Sequence, residues 1–273
     1  MALKRIALTG ASGLLGRHIA YILLKNNYEV LASSRKRTPI RDINLEWRYL
    51  DLSKKLDHVI LNKIFGGVSA VIHAGACVPI LGRKINLKKL IRSNIYATDK
   101  LAAWAQKKKI HFIYISGAII YKNQNRINSE NSKILKFSEN KYCNSKILSE
   151  KKLLLRKKKG LMLTVFRPSS IYGWGLNKLK IISSLINSAK KKTNIQLYDV
   201  DKTEVNLIHA YDVSTAVLRS LQNGIIGVFN VGNYGTKNFY NIAIILNKLY
   251  RNKKKIKIIK NKLETFLISK LDV

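Results

Sequence analysis

Thr9-Gly10-Ala11-Ser12-Gly13-Leu14-Leu15-Gly16 follows the apolar run Ile6-Ala7-Leu8 near the start of the chain. The order of these residues predicts a strand that turns sharply into a helix. We expect Gly10 to permit the tight turn, Gly13 to let the backbone approach a ligand, and Gly16 to allow close packing of the helix. Because the free amides at such a helix start can hold a pyrophosphate, the stretch predicts a dinucleotide-binding fold.

Strand patterns alternate with amphipathic helical patterns through roughly the first 170 residues. The predicted strands are Lys4–Leu8, Glu29–Ser33, Leu45–Leu50, Ala70–His73, Phe112–Ser116 and Leu163–Arg167. The predicted helices are Leu14–Asn26, Asn94–Lys108 and Lys141–Lys157. Such alternation is typical of a parallel sheet with helices on both faces. The predicted fold class is therefore α/β, with a doubly wound parallel (Rossmann) sheet.

The pattern becomes less regular after Gly173. Helices are predicted over Lys178–Lys191, Asp212–Leu221 and Phe239–Leu249, and extended segments over Val205–His209 and Gly227–Val231. We therefore predict a dinucleotide-binding domain over residues 1–170 and a small, partly interleaved substrate-binding lobe over residues 171–273. The polar stretch Lys122–Asn140 is the longest irregular piece and a candidate loop on the substrate side.

A second string, Tyr142-Cys143-Asn144-Ser145-Lys146, places a phenol and an ammonium one helical turn apart on the same face. A tyrosine has an ordinary pKa near 10, which is too high for acid–base work at neutral pH. We expect Lys146 to lower the pKa of Tyr142 by roughly 1–3 units. Tyr142 could then exchange the proton that accompanies hydride transfer, while Lys146 also reaches the ribose of a nicotinamide cofactor.

The end of the second predicted strand carries Ser33-Ser34-Arg35-Lys36-Arg37, at the distance where the adenosine ribose is recognised. Sites that select NAD place an acidic side chain there, whereas a guanidinium binds phosphate well. Arg35 therefore favours the 2′-phosphate of NADP, and NAD stays open as the alternative. Asp51 and Leu52 follow at the right distance to meet the adenine.

The net charge is +36 and the isoelectric point is about 10.3. Such a charge can indicate nucleic-acid or membrane binding. The basic residues are spread throughout the chain, however, and no aromatic–basic interleaving of the kind that stacks bases is present. Compositional drift toward lysine, isoleucine and asparagine is the favoured explanation, so no nucleic-acid or membrane partner is predicted.

Other features of the composition bear on the location of the protein. No apolar run approaches the roughly 18 residues of a membrane span, and no export signal precedes Leu3-Lys4-Arg5. Cys77 and Cys143 lack the spacing of metal ligands or of a disulfide framework. We therefore expect a cytoplasmic protein with reduced thiols and no metal site.

Together these motifs resemble those of the extended short-chain dehydrogenase/reductases, usually called the NAD-dependent epimerase/dehydratase family. The resemblance covers about residues 3–235. It rests on Thr9–Gly16, Asp51-Leu52, Val71–Ala76, Ser93-Asn94, Phe112–Tyr121, Tyr142–Lys146 with Glu150, Arg167–Gly173, Leu207–Val213 and Phe229–Gly232. It implies an enzyme on a Rossmann fold, and it says little about the substrate.

The resemblance also implies roles for particular residues. Ala74, Gly75 and Ala76 would line the cofactor, and Asn94 would support an active-site water or the backbone. Pro168, Ser169 and Ile171 would hold the carboxamide of the nicotinamide. The family usually has a second hydroxyl residue where this chain has Gly117, so Ser116, a backbone amide or a water would have to bind the reacting oxygen.

Three functional hypotheses follow. The leading one is an NADP-dependent oxidoreductase that acts on a carbonyl or secondary alcohol of a small molecule, with Tyr142, Lys146 and Ser116 as catalytic residues. The second is a sugar-nucleotide epimerase that retains its cofactor, and the third is a degenerate member that binds NADP or nucleic acid without catalysis. Dehydration is disfavoured, because Ala118-Ile119 stand where the family's dehydratases carry an acidic pair.

Two further expectations concern assembly and length. The family often forms homodimers through two long helices, and Leu101, Ala102, Ala105, Ile147 and Leu148 are the apolar candidates, although the same residues could face the sheet instead. The chain also ends earlier than family members commonly do, which leaves the completeness of the substrate pocket open.

Overall fold

Seven parallel strands form the central sheet of the computed structural model, in the order β12-β7-β5-β4-β1-β2-β3. The structure describes residues 4–79, 84–123, 126–178, 180–198, 203–259 and 270–271. The strands of this sheet are β1 (Arg5–Thr9), β2 (Glu29–Ser34), β3 (Leu45–Tyr49), β4 (Ala70–His73), β5 (His111–Ile115), β7 (Leu163–Pro168) and β12 (Gly227–Val231). This order confirms the predicted doubly wound fold, because the strand sequence reverses direction at β1 and β4.

The remaining strands are short or belong to small two-stranded sheets. They are β6 (Ile127–Asn128), β8 (Ser170–Tyr172), β9 (Ile195–Tyr198), β10 (Glu204–Val205), β11 (Leu207–His209), β13 (Lys237–Asn238), β14 (Ile256–Ile259) and β15 (Lys270–Leu271). The helices are α1 (Leu14–Lys25), α2 (His58–Phe65), α3 (Leu87–Ile91), α4 (Ala97–Lys107), α5 (Lys141–Lys157), α6 (Ile181–Lys190), α7 (Ala210–Gln222) and α8 (Phe239–Leu249). A π-helical turn, Arg92–Tyr96, joins α3 to α4.

The sheet is covered on both faces, which explains why its strands are apolar along their whole length. On one face, α1 and α7 pack over residues such as Ile6, Leu8 and Ile72. On the other face, α2, α4 and α5 pack over Val71 and Phe112. The carboxyl ends of all seven strands therefore open at one edge, where ligands bind in this architecture.

A separate apolar cluster lies in the second lobe, where α6 and α8 pack against β9 around Leu185, Leu197 and Phe239. The chain returns from this lobe to add β12 beside β7 in the main sheet. Residues 227–231 thus belong to the sheet of the first domain although they lie between α6 and α8 of the lobe in sequence. The division at residues 170 and 171 stays a prediction.

Most predicted elements occur within one or two residues of their expected bounds. The predictions missed α2 and the strands β6, β8, β9, β13, β14 and β15. They also began a helix at Asn94, although helical structure already starts at Leu87. Leu179, inside the predicted helix Lys178–Lys191, and residues 124–125 of the candidate loop lie outside the described residues. No helix in the described parts of the chain is long and apolar enough to cross a membrane.

Four of the five residues proposed for a dimer interface are buried within the chain instead. Leu101, Ala102 and Ala105 are fully buried in the core, and Ile147 is 1% exposed. Leu148, at 47% exposure, is the one whose side chain remains accessible. Leu101, Ala102 and Ala105 belong to the apolar stripe that α4 packs onto the sheet, whereas Ile147 packs on Ile120 and Cys143. A homodimer would therefore need other contacts.

Candidate functional site

The glycine turn between β1 and α1 leaves no room for side chains at two positions. Gly10 has a φ of +71°, and a Cβ there would lie 2.6 Å from Cα of Gly75. A Cβ on Gly16 would lie 2.2 Å from the main-chain oxygen of Gly10. Gly10 therefore lets the loop after β4 approach the turn, and Gly16 lets α1 pack against it.

The start of α1 carries Gly13 as its N-cap, and in the described chain no side chain caps the first amides of the helix. Gly13 N–H donates to the oxygen of Gly10 at 2.9 Å, which closes the turn. Uncapped amides at a helix N-terminus form a site for an anion such as a pyrophosphate. The turn thus has the form that a dinucleotide requires.

The start of α5 fixes the position of Tyr142. Asn140 caps this helix, and its side-chain oxygen accepts hydrogen bonds from the amides of Tyr142 at 3.0 Å and Cys143 at 3.1 Å. Ser145 donates from its hydroxyl to the oxygen of Tyr142 at 2.7 Å. The half-buried phenol side chain is therefore carried on a well-defined first turn.

Lys146 lies on the next turn and is 4% exposed. Its ammonium donates to the main-chain oxygen of Ile115 at 2.7 Å, and it lies 4.8 Å from the ring centre of Tyr114 and 5.8 Å from that of Tyr142. The contact with Ile115 places α5 directly beside the carboxyl end of β5. Tyr142, Lys146 and Ser116, which follows Ile115, are thereby brought to one edge of the sheet.

The expected effect of Lys146 on Tyr142 is wrong for this structure. Burial raises the pKa of Tyr142 to about 12, and the nearby thiols of Cys143 and Cys77 raise it further. Burial also lowers the pKa of Lys146 to about 8, against the opposing influence of Glu150. The loss of solvation dominates both pKa shifts, because the ammonium of Lys146 is hydrogen-bonded to Ile115 and not to the phenol hydroxyl of Tyr142.

Two hydroxyls at this edge lack partners in the described part of the chain. The side-chain oxygens of Ser116 and Ser169 are both buried without a hydrogen bond. Because buried hydroxyls are nearly always paired, each points to a missing ligand group. Gly117 has a φ of 173°, and a Cβ there would meet only ordinary contacts, 3.8 Å to Ile119 and 4.0 Å to Pro168.

Asn94 holds the loop after β4 through its side-chain amide. Its oxygen accepts from Cys77 N–H at 2.7 Å, and its nitrogen donates to Cys77 oxygen at 3.1 Å and to Ser145 hydroxyl at 2.9 Å. The residue lies in the π-helical turn, a feature often found at functional sites. Asn94 thus connects the predicted cofactor loop Ala74–Ala76 with the helix that carries Tyr142.

The end of β2 presents Arg35 as an exposed side chain. Partial burial alone would raise the pKa of Asp51, but hydrogen bonds from Ser53 and the nearby charges of Arg35 and Lys89 hold it below its usual range. Asp51 therefore carries a full negative charge close to Arg35. The residues predicted to bind the ribose and the adenine therefore lie close together at the carboxyl edge of the sheet. The side chain of Leu52 fills the space that a Cβ on Gly75 would need.

Trp174 lies two residues after the end of β8. Its side chain is 57% exposed, and Arg17 lies 5.3 Å from its ring centre. It lines an open cavity of about 440 Å³ together with Tyr172, His209 and Lys190. The side chain of Trp174 therefore does not belong to the core. The cavity that it lines lies at the end of β8.

The sequence motifs assigned no specific role to several buried polar residues that organise the site. Thr98, Ser145 and Ser149 contact Asn94, and His73 contacts Thr98 on one side and Thr9 on the other. Ser145 and Ser149 lie three and seven residues after Tyr142, so they fall on the inward stripe of α5. Polar residues at positions that should be apolar were the signal that could have identified them.

The residues present fit a nicotinamide dinucleotide. The uncapped helix start, the space kept by Gly10 and the unpaired hydroxyls of Ser116 and Ser169 lie along one edge of the sheet. Fold and site together define a dinucleotide-binding α/β enzyme. A model of the NAD dependent epimerase/dehydratase family matches residues 6–232, and the chain belongs to that family. It is an enzyme that uses a nicotinamide cofactor.

Individual relatives are similar over different lengths. A polyketide synthase-nonribosomal peptide synthetase of Aspergillus clavatus is 30% identical over 200 residues, which cover 68% of this chain and 5% of that protein. A dTDP-D-glucose 4,6-dehydratase of Dictyostelium discoideum is 28% identical over 254 residues, which cover 84% of this chain and 58% of that protein. The chain therefore spans only part of these relatives.

Among solved structures, the fold is similar to that of a UDP-N-acetylglucosamine 4-epimerase from Methanobrevibacter ruminantium M1 in complex with UDP-N-acetylmuramic acid. The TM-score is 0.88 at 20% sequence identity, with 100% of this chain and 90% of that chain covered. At this level of identity the likeness concerns the fold.

Proposed function

We propose that the chain transfers hydride between a nicotinamide cofactor and a carbonyl or secondary alcohol carbon of a small molecule, with Tyr142 as the acid–base residue. The observation that carries this proposal is the contact between Lys146 and Ile115 at 2.7 Å. That contact gathers a phenol, an ammonium and the unpaired hydroxyl of Ser116 at the carboxyl edge of the sheet.

Each residue has a distinct task in the proposed reaction. Tyr142 gives a proton to the carbonyl oxygen during reduction, or takes it from the alcohol during oxidation. Ser116 donates a hydrogen bond to the same oxygen, which replaces the hydroxyl that Gly117 lacks. Lys146, one helical turn from Tyr142, would bind the ribose of the nicotinamide half of the cofactor.

The positive charge at the end of β2 supports NADP as the cofactor. When bound, the nicotinamide supplies the hydride or accepts it. The exposed Arg35, Lys36 and Arg37 form a basic corner next to Asp51, and a guanidinium suits a 2′-phosphate. The family's description as NAD dependent favours NAD instead, so the two cofactors must be compared directly.

A second candidate, sugar-nucleotide epimerisation, is favoured by the names of the structural relatives, several of which are 4-epimerases. Such an enzyme would oxidise and re-reduce one carbon without releasing its cofactor. Both candidates place Tyr142 in the same role. They differ in whether reduced cofactor appears in solution.

The test begins with the purified protein. Cofactor released by denaturation is identified, and NAD and NADP are then titrated into cofactor-free protein. Carbonyl compounds, alcohols and nucleotide sugars are screened for consumption or production of reduced nicotinamide. Net turnover with a dissociable cofactor supports the oxidoreductase, and retained NAD with isomerised sugar nucleotide supports the epimerase. Absence of both cofactor binding and turnover would overturn the proposal.

A further inference from the structure

His73 lies between the glycine turn and the catalytic helix, at the end of β4. Its Cα pairs in register with Thr9 of β1 on one side and with Tyr114 of β5 on the other, so the three side chains lie on one face of the sheet. The imidazole is 1% exposed and stacks on Tyr114 with ring centres 5.8 Å apart. Because the imidazole is shielded from water, the hydrogen bonds of its two nitrogens determine which nitrogen carries the proton.

Both ring nitrogens are occupied by threonine hydroxyls. Nδ1 lies 2.6 Å from the hydroxyl of Thr9, and Nε2 lies 2.8 Å from that of Thr98. The hydroxyl of Thr98 donates its only proton to the main-chain oxygen of Asn94 at 2.6 Å. The oxygen of the same hydroxyl must therefore accept the hydrogen bond from Nε2–H of His73. Burial lowers the pKa of His73 to about 3, and the charge of Lys146 adds to the effect.

The direction of every proton follows from these contacts. A neutral ring that donates from Nε2 must accept at Nδ1, so the Thr9 hydroxyl donates to it. The Thr9 oxygen in turn accepts from Gly75 N–H at 3.1 Å. The hydrogen bonds therefore run in one direction from Gly75 through Thr9, His73 and Thr98 to Asn94.

At Asn94 this chain of hydrogen bonds meets the catalytic helix. The main-chain oxygen of Asn94 also lies 2.7 Å from the hydroxyl of Ser149, which is equally close to the main-chain oxygen of Ser145. The side chain of Asn94 donates to the hydroxyl of Ser145 at 2.9 Å. Both serines lie on α5, on the same helix as Tyr142 and Lys146. The glycine turn and the acid–base pair are thus joined through one imidazole.

We propose that His73 is a positioning residue, which as a neutral Nε2–H tautomer sets the glycine turn and the Tyr142 helix at the separation that hydride transfer needs. The proposal rests on the proposed function for the reaction that is positioned. The direction of the hydrogen bonds from Gly75 to Asn94 does not depend on the proposed function. His73 touches neither cofactor nor substrate in this account, and it acts through Thr9 and Thr98.

The direct test uses nitrogen NMR of the histidines. His73 is expected to show a protonated Nε2 and an unprotonated Nδ1, with no titration from pH 5 to pH 9. The opposite tautomer, or a titration in that range, would overturn the proposal. This measurement needs no substrate, so it can fail or succeed separately from the proposed function.

The functional test removes one hydroxyl at a time. Thr98→Val keeps the shape of the side chain, and we expect it to lower kcat and to weaken cofactor binding by about five- to tenfold. It should also shift the pH profile of kcat, because the helix that carries Tyr142 and Lys146 moves. Thr98→Ser, which restores the hydroxyl, should recover most of each loss.

Thr164 provides a matched control. It is fully buried, its hydroxyl lies 2.7 Å from Nε2 of His111, and it is on β7 away from Asn94. Thr164→Val should reduce stability while leaving cofactor affinity and the pH profile unchanged. Equal functional losses in Thr98→Val and Thr164→Val would assign only a structural role to the hydrogen bonds of His73 and would overturn the proposal.

Discussion

The ammonium of Lys146 donates to the main-chain oxygen of Ile115 at 2.7 Å, one residue before Ser116. This contact holds α5 against the carboxyl end of β5. The contact also holds the ammonium in a position that is almost completely shielded from solvent, since Lys146 is 4% exposed. Under the proposed function, lysine is retained at this position for its role at the site rather than for stability.

We predict that Lys146→Met unfolds with a free energy equal to or above that of the wild type at pH 7, although it loses activity. Burial lowers the pKa of Lys146 from 10.5 to about 8, so the unfolded state binds more protons between these two values. The wild type therefore gains stability as the pH rises through that range. Urea denaturation at pH 7 and pH 10 should show the advantage of the variant shrinking at the higher pH.

Lys151→Met serves as the control, because Lys151 is an exposed lysine on the same helix. Its difference from the wild type should not depend on pH in this way. A stability difference for Lys146→Met that stays constant from pH 7 to pH 10 would contradict the buried-cation explanation.

Gly117→Ser is expected to raise kcat. The position has an extended φ of 173° and open space for a Cβ, so a serine fits without strain. Its hydroxyl would supply a second hydrogen bond to the reacting oxygen, a kind of contact that can contribute on the order of 10²-fold in rate. Gly117→Ala adds the Cβ without the hydroxyl. Equal rates for the serine and alanine variants would show that Ser116 alone is sufficient.

Arg35→Asp should weaken NADP far more than NAD. Hydrogen bonds to charged groups contribute about 1.5–3 kcal/mol, so the ratio of the two affinities should shift at least about tenfold. The exposed Lys253 lies in the loop between α8 and β14, and Lys253→Asp makes the same change in net charge. If fluorescence titration gives the same ratio for both variants, Arg35 does not bind the 2′-phosphate.

Trp174→Ala should raise KM several-fold and change the melting temperature little. The side chain is 57% exposed and lines the cavity at the end of β8. On the hypothesis that this cavity receives the substrate, the variant loses a substrate contact without opening the core. Trp174→Phe keeps an aromatic face and should retain most of the affinity. A large loss of stability with an unchanged KM would mean that the indole supports the fold rather than the substrate.

The fold was predictable because its determinants are local. The glycine turn and the apolar strands specify their structure within a few residues, as the predicted and observed bounds of Ala70–His73 and Lys141–Lys157 show. Membership of the family was predictable for the same reason. The helix His58–Phe65 was missed because its pattern is short and mixed.

The electrostatics of the site were not predictable in the same way. The spacing of Tyr142 and Lys146 indicates that they share a helix face, but it does not show that burial outweighs their attraction. The contacts of His73 depend on strands that are distant in sequence. The apolar candidates for a dimer were ambiguous because one helix stripe can face either a sheet or a partner.

Turnover by Tyr142→Phe, on the best substrate from the screen, tests the central claim most directly. We expect kcat to fall at least about 10²-fold, because a general acid–base group is lost. The dissociation constant of the cofactor should stay within about threefold, since the glycine turn and the residues around Asn94 are unchanged. Tyr234→Phe, at a residue that is 87% exposed, should match the wild type in both measurements. Wild-type turnover by Tyr142→Phe would contradict the account.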